Sequence, residues 1–257
     1  MKRIVLAMLV VFSTGLSCRD VSLSSDLTTE TLGDAAKAFR YFIMLEPAPD
    51  GSPRYLYSDI GRHIHAYVVR SGRSELEWET TLGSAVTSLF VTDVDADGNS
   101  DLMVSTARGR IIVYDANTYD KLRENFLEPF ESITCMASAN IDRDPQEEVI
   151  FIAEDHLNIY DGSNVTLEWR SQERFEASEL IVANVDDDPQ LEIILNTGAV
   201  VDSRFYNLES SSLKEGGTFG RRLRLLDMNG DGHPEVIGET PDFALKVYDI
   251  YAQRAIW

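Results

Sequence analysis

Asp93-Val-Asp-Ala-Asp-Gly-Asn-Ser-Asp101 places carboxylates at positions 1, 3, 5 and 9 of a nine-residue stretch, with glycine at position 6. Oxygens at alternate positions, a backbone carbonyl at position 7 and a carboxylate beyond it can wrap a hard cation. Calcium takes roughly six to eight oxygens and tolerates irregular geometry. Glycine at position 6 supplies the sharp reversal such a loop needs. The pattern recurs as Asn140-Ile-Asp-Arg-Asp-Pro-Gln-Glu-Glu148, Asn184-Val-Asp-Asp-Asp-Pro-Gln-Leu-Glu192 and Asp227-Met-Asn-Gly-Asp-Gly-His-Pro-Glu235. These stretches begin 43 to 47 residues apart. One period further back, Glu46-Pro-Ala-Pro-Asp-Gly-Ser-Pro-Arg54 is a worn fifth copy that keeps only Asp50 and Gly51.

The repeat extends outward from the loops. A β-rich run precedes each: Tyr41–Leu45, Val86–Val91, Ile133–Ser138, Leu180–Ala183 and Leu223–Leu226. A second follows: Tyr55–Tyr57, Leu102–Ser105, Val149–Ile152, Ile193–Leu195 and Val236–Ile237. A third ends on Tyr-Asp at Asp115, Asp161 and Asp249, and a weaker fourth ends near Trp78, Phe126, Trp169 and Trp257. Four short strands per period of about 45 residues predict an all-β protein, a β-propeller of about five four-stranded blades with a calcium-type loop between the first and second strands. The ring is either closed or an open arc. Stacked blades bury faces that a lone sheet would expose, so the Tyr and Trp residues of strands three and four are expected between blades. Helical periodicity is confined to Asp34–Phe42. In the fourth unit the third strand falls at Ser203–Asn207, and residues 198–218 are expected to form a longer loop, a place to look for a ligand contact.

The arrangement D-x-D-x-D-G-x-x-[DE] between two strands resembles the FG-GAP repeat of integrin α-chain propellers and its bacterial VCBS relatives. The last unit matches most fully. Phe219-Gly220 precedes its loop, and Gly238-Glu-Thr-Pro241 stands where the family has Gly-Ala-Pro. The resemblance spans roughly residues 37–257. It implies four calcium sites: Asp93, Asp95, Asp97, Asn99 and Asp101; Asn140, Asp142, Asp144, Gln146 and Glu148; Asn184, Asp186, Asp188, Gln190 and Glu192; and Asp227, Asn229, Asp231, His233 and Glu235. The seventh position of each contributes its backbone carbonyl. Pro145 and Pro189 replace the loop glycine, so those two loops are expected to turn differently and to bind metal more weakly. The first unit has Ala48 and Arg54 at ligand places and is expected to hold no metal. Solvated acidic turns, with Asp side chains capping their own backbone, are the simpler alternative for all four.

The chain has 23 Lys and Arg against 43 Asp and Glu, a net charge of −20. That balance disfavours nucleic acid and anionic membrane surfaces as partners. Lys2 and Arg3, the apolar run Ile4–Phe12 and small residues to Ser17 read as a signal peptide over residues 1–17, followed by a linker over 18–36. Cys18 after Gly15-Leu16-Ser17 resembles a bacterial lipobox, although Gly15 stands where leucine is preferred. Lipid anchoring at Cys18, free secretion and an uncleaved anchor all remain open. The protein is therefore expected at the cell surface, in the periplasm or in the medium. Cys135 reads as a buried thiol, with a bridge to Cys18 as the alternative.

The sequence holds no G-x-S-x-G, no P-loop and no C-x-x-C pair. Ser211-Ser-Leu-Lys214 fits S-x-x-K without its partner motifs. His63 and His65 share one face of a strand, but no third ligand is evident nearby, and they read as ordinary strand residues. The functional expectation is a non-catalytic calcium-binding scaffold for an extracellular protein or glycan. A polysaccharide lyase or hydrolase on the same scaffold, or one module of a larger surface protein, is the alternative.

Overall fold

The structure, a computed structural model, describes residues 39–124, 128–142, 144–211, 218–240 and 242–257. The expected signal peptide, linker and Cys18 lie outside the described residues. Twenty strands form five antiparallel four-stranded sheets, each in simple sequence order. The first sheet holds β1 (Phe39–Leu45), β2 (Arg54–Asp59), β3 (His63–Arg70) and β4 (Arg73–Thr81). The second holds β5 (Val86–Thr92), β6 (Asp101–Thr106), β7 (Ile111–Asp115) and β8 (Lys121–Glu124). The third holds β9 (Ile133–Ala139), β10 (Glu148–Ala153), β11 (His156–Asp161) and β12 (Leu167–Arg170). The fourth holds β13 (Leu180–Ala183), β14 (Glu192–Leu195), β15 (Ala199–Asp202) and β16 (Asn207–Ser211). The fifth holds β17 (Arg221–Leu226), β18 (Glu235–Glu239), β19 (Leu245–Asp249) and β20 (Arg254–Ala255).

Two expectations need correction. Phe39–Phe42 belongs to β1 and not to a helix. The aromatic residues Phe39, Tyr41 and Phe42, with Ile43 beside them, and the pairing of Phe42 with Tyr57 override the weak helical pattern. In the fourth sheet the third strand is Ala199-Val-Val-Asp202, all of it buried, while Ser203–Tyr206 is the turn to β16. Gly198, with φ +97°, starts the strand earlier than the aromatic residues suggested.

Burial shows how the sheets stack. β6, β10, β14 and β15 are buried at every position, as strands covered on both faces must be. β2 instead alternates buried and half-buried residues, and β17 is largely exposed. Four apolar clusters join sheets one to two, two to three, three to four and four to five. Among the described residues no such cluster joins the fifth sheet back to the first. The first sheet accordingly exposes Phe42 and Met44, and the fifth exposes Leu226, Met228 and Leu245.

The aromatic residues of the later strands mostly lie between sheets, as expected. Trp78 stacks on Tyr119 at 5.0 Å and meets Tyr114 edge-on, and Trp169 stacks on Tyr206 at 5.0 Å. Trp257 departs from this and is 75% exposed. Phe219-Gly220 and Gly238 have a packing reason: a Cβ on Gly238 would stand 1.7 Å from the Phe219 carbonyl oxygen.

Candidate metal centres in the acidic loops

The acid at position 9 is in every case the first residue of a second strand: Asp101, Glu148, Glu192 and Glu235. All four are buried. Each turns one carboxylate oxygen back to the backbone N–H at position 2. Val94 donates to Asp101 at 3.1 Å, Ile141 to Glu148 at 2.6 Å, Val185 to Glu192 at 2.8 Å and Met228 to Glu235 at 2.6 Å. This bond closes the loop and fixes the acid beneath it.

The glycine and proline loops then differ in a consistent way. Where position 6 is glycine, its N–H donates to the aspartate at position 1: Gly98 to Asp93 at 3.0 Å and Gly232 to Asp227 at 3.1 Å. Proline has no N–H to give. In those loops position 1 is asparagine, and its side-chain amide donates to the carbonyl at position 5: Asn140 to Asp144 at 2.6 Å, and Asn184 to Asp188. Asp pairs with Gly and Asn with Pro because the direction of one hydrogen bond is reversed.

Carboxylate oxygens converge in all four loops. Within 4.8 Å of one another lie ligand atoms of Asp93, Asp95 and Asp101; of Asp142, Glu148 and Glu168; of Asp186, Asp188 and Glu192; and of Asp231, Glu235 and Asp249. The loop acids also serve the backbone, those of the convergent sets included: both oxygens of Asp93 accept N–H groups, and Asp142 accepts from Asp144 at 2.7 Å. Asp97 accepts from the Asn99 N–H at 2.7 Å, Asp144 from Gln146 at 2.9 Å, and both oxygens of Asp227 accept glycine N–H groups. Asn229 donates to Glu235 at 2.7 Å. The His233 ring stacks on Tyr251 at 4.3 Å and pairs with Asp187 of the fourth sheet.

Glu168 on β12 and Asp249 at the end of β19 were not foreseen as members of these clusters. Asp249 belongs to a recurring set. Asp115, Asp161, Asp202 and Asp249 each end a third strand and cap the following turn, as in the Asp115 contacts with Asn117 and Thr118 at 2.7 Å. The repeated Tyr-Asp signal was visible in sequence. Only cross-strand pairing, such as Asp101 with Asp115 and Glu148 with Asp161, places it beside the loop acid.

Burial drives the electrostatics. Desolvation, offset by the Val94 N–H and reinforced by Asp95, Asp97 and Asp93, pushes Asp101 up to about 6. Desolvation, with repulsion from Asp142, Glu168 and Asp144, pushes Glu148 up to about 7. Glu148 Oε1 is buried without a hydrogen-bond partner among the described residues. A divalent cation would answer both features, and the donor set is all oxygen, as calcium prefers.

The first unit is built differently. Arg54 occupies the position-9 place and is 3% exposed. Its guanidinium crosses to the second sheet, donating to the Tyr119 hydroxyl at 2.6 Å and, within its own sheet, to Glu77 at 2.8 Å. Asp50 accepts from Arg70 at 3.0 Å. Cys135 is buried and forms no disulfide among the described residues, and desolvation pushes its thiol up to about 12.

Beside the third and fourth loops runs an open cleft of about 460 Å³ lined by Asn140, Gln190, Arg204, Phe205 and Tyr206. The last three belong to the turn after β15, inside the segment singled out for ligand contact. Residues 212–217 of that segment lie outside the described residues.

No protein-family model matches this chain, and no curated protein matches it. Solved structures do. The crystal structure of BBS1N in complex with ARL6DN, soaked with lead, is 14% identical, with a TM-score of 0.59 over 86% of this chain and 67% of that one. The V. cholerae biofilm matrix protein Bap1 is 14% identical, with a TM-score of 0.59 over 83% of this chain and 38% of that one. The chain thus spans well under half of Bap1. At this identity the likeness shows the fold alone, and that fold is β-propeller-like.

Proposed function

We propose that this chain is an exported, non-catalytic scaffold of the FG-GAP/VCBS kind, in which calcium staples the loops of four blades and the assembled surface binds an extracellular protein or glycan. The carrying observation is the buried position-9 acid. Asp101, Glu148, Glu192 and Glu235 each sit under a loop whose other carboxylates converge on the same space. Buried carboxylates at that spacing repel one another unless a cation or a proton lies between them.

Asp93, Asp95 and Asp101 with the Asn99 carbonyl would hold one ion, and Asp231 and Glu235 with the His233 carbonyl another. Asp249 can join the latter. In the third and fourth loops Asp142 with Glu148, and Asp186 and Asp188 with Glu192, supply the charge, with the Gln146 and Gln190 carbonyls beside them. The bound ion supplies no chemistry beyond charge neutralisation and fixing of the loop.

A glycan or protein partner fits the cleft of the third and fourth sheets. Phe205 is 60% exposed, and the Arg204 guanidinium lies 4.7 Å over its ring. An exposed aromatic face beside amides and a guanidinium suits the stacking and hydrogen bonding of a sugar or a peptide. The two structural neighbours, a protein crystallised in a complex and a biofilm matrix protein, agree with a binding role.

Panels of glycans and matrix proteins, screened in calcium and in chelator, test this reading. Calcium-dependent binding weakened by Phe205→Ala is expected. Release of reducing or unsaturated ends from any polysaccharide would contradict the non-catalytic assignment.

A further inference from the structure

We propose that Asp59, His63 and His65 form a zinc-class transition-metal site on the uncovered face of the first sheet, chemically distinct from the acidic loops. The third ligand comes from the hairpin. β2 ends at Asp59, the chain turns through Ile60-Gly61-Arg62, and β3 starts at His63. Asp59 Oδ1 accepts the His63 backbone N–H at 2.9 Å, which holds the carboxylate over the strand. Oδ2 then faces both rings, 3.1 Å from His63 Nδ1 and 3.5 Å from His65 Nε2.

Those separations suit a metal. Tetrahedral zinc ligands about 2.0–2.1 Å from the ion stand roughly 3.3 Å from one another. One ligand atom from each of the three residues lies within 4.8 Å of the other two. Two imidazoles and one carboxylate, with a water in the fourth position, match a three-ligand zinc set. Imidazole nitrogen also selects zinc-class ions over calcium, which prefers oxygen.

The surroundings orient both rings. Tyr57, the cross-strand partner of His65, stacks on it at 4.9 Å. Glu79, its partner on β4, places Oε2 2.9 Å from His65 Nδ1, at ion-pair distance but outside hydrogen-bond alignment. A carboxylate that accepts the second N–H of a metal-binding imidazole is the usual supporting arrangement, and Glu79 stands at the distance for it. A Cβ on Gly61 would come 3.0 Å from His63 Nδ1 and 3.2 Å from Asp59 Oδ1, so glycine leaves the rings their room. Side-chain exposures of 23% for Asp59, 36% for His63 and 15% for His65 leave an entry path.

Zinc titration of the full chain in saturating calcium tests the site while the acidic loops are occupied or, if they bind nothing, leaves them silent. One zinc equivalent is expected in the wild type. His63→Ala with His65→Ala should abolish it, and Glu79→Gln should weaken it about tenfold. Imidazole NMR signals of the unmutated chain serve as a second readout that needs no variant. Zinc should shift His63 and His65 and spare His156 and His233. Failure of the wild type to take up zinc, equal uptake by the double variant, or shifts confined to His156 and His233 would each overturn the site.

Discussion

The N–H of Ile141 donates to Glu148 Oε2 at 2.6 Å, while Oε1 of the same buried carboxylate has no hydrogen-bond partner among the described residues. One oxygen closes the third loop and the other faces the space it shares with Asp142 and Glu168. Asp101 likewise takes the Val94 N–H on one oxygen and shares its space with Asp93 and Asp95. These acids are set by the fold, yet their ionised forms strain it.

That strain has a definite pH signature in chelator. Desolvation and neighbouring carboxylates raise Glu148 to about 7 and Asp101 to about 6, from ordinary carboxylate values of 4.5 and 3.8. Between those limits the native state binds more protons than the unfolded chain, so stability falls as pH rises. Metal-free protein should melt higher near pH 5 than near pH 7.5. Saturating calcium should flatten or reverse the trend. Thermal melts across this range check both, and a metal-free Tm that climbs from pH 5 to 7.5 would count against the assignment.

The reversed hydrogen bond predicts a compensating pair. Asn140→Asp alone removes the amide that donates to the Asp144 carbonyl, at a cost of roughly 0.5–1.5 kcal/mol. Adding Pro145→Gly restores an N–H at position 6 for the new aspartate to accept. The double variant in calcium should therefore be more stable than the sum of its single changes. A denaturant double-mutant cycle with no coupling would remove the Asp–Gly and Asn–Pro rule.

Arg54 should behave as a joint between sheets rather than as a ligand. Arg54→Ala leaves Glu77 and the Tyr119 hydroxyl without their shared partner, and roughly 2–3 kcal/mol of stability should be lost. The loss should be the same in calcium and in chelator. Urea unfolding under both conditions measures it.

The strands were legible because each carries its own local pattern and the pattern repeats. Position 9 was legible too, since the acid recurs at fixed spacing. What escaped was set by pairing across strands. Asp249 and Glu168 join the loop acids through sheet geometry, and Asp59 meets His63 and His65 only because the β2–β3 hairpin folds it over them. Ala199–Asp202 was overlooked because four small and branched residues, buried on both faces, lack the alternation that marks a half-covered strand. The roles of Asp97 and Asp227 also depend on geometry, because a loop aspartate can serve the backbone as readily as an ion.

A thermal melt of the full chain in chelator and then in excess calcium tests the central claim most directly. A ligand bound only by the native state adds about 2.7 kcal/mol at a hundred times its Kd, so each filled loop should raise Tm by roughly 5–10 °C. The account predicts that rise, and predicts that Glu148→Gln and Asp101→Asn each diminish it. Superimposable melts in chelator and in calcium would contradict it.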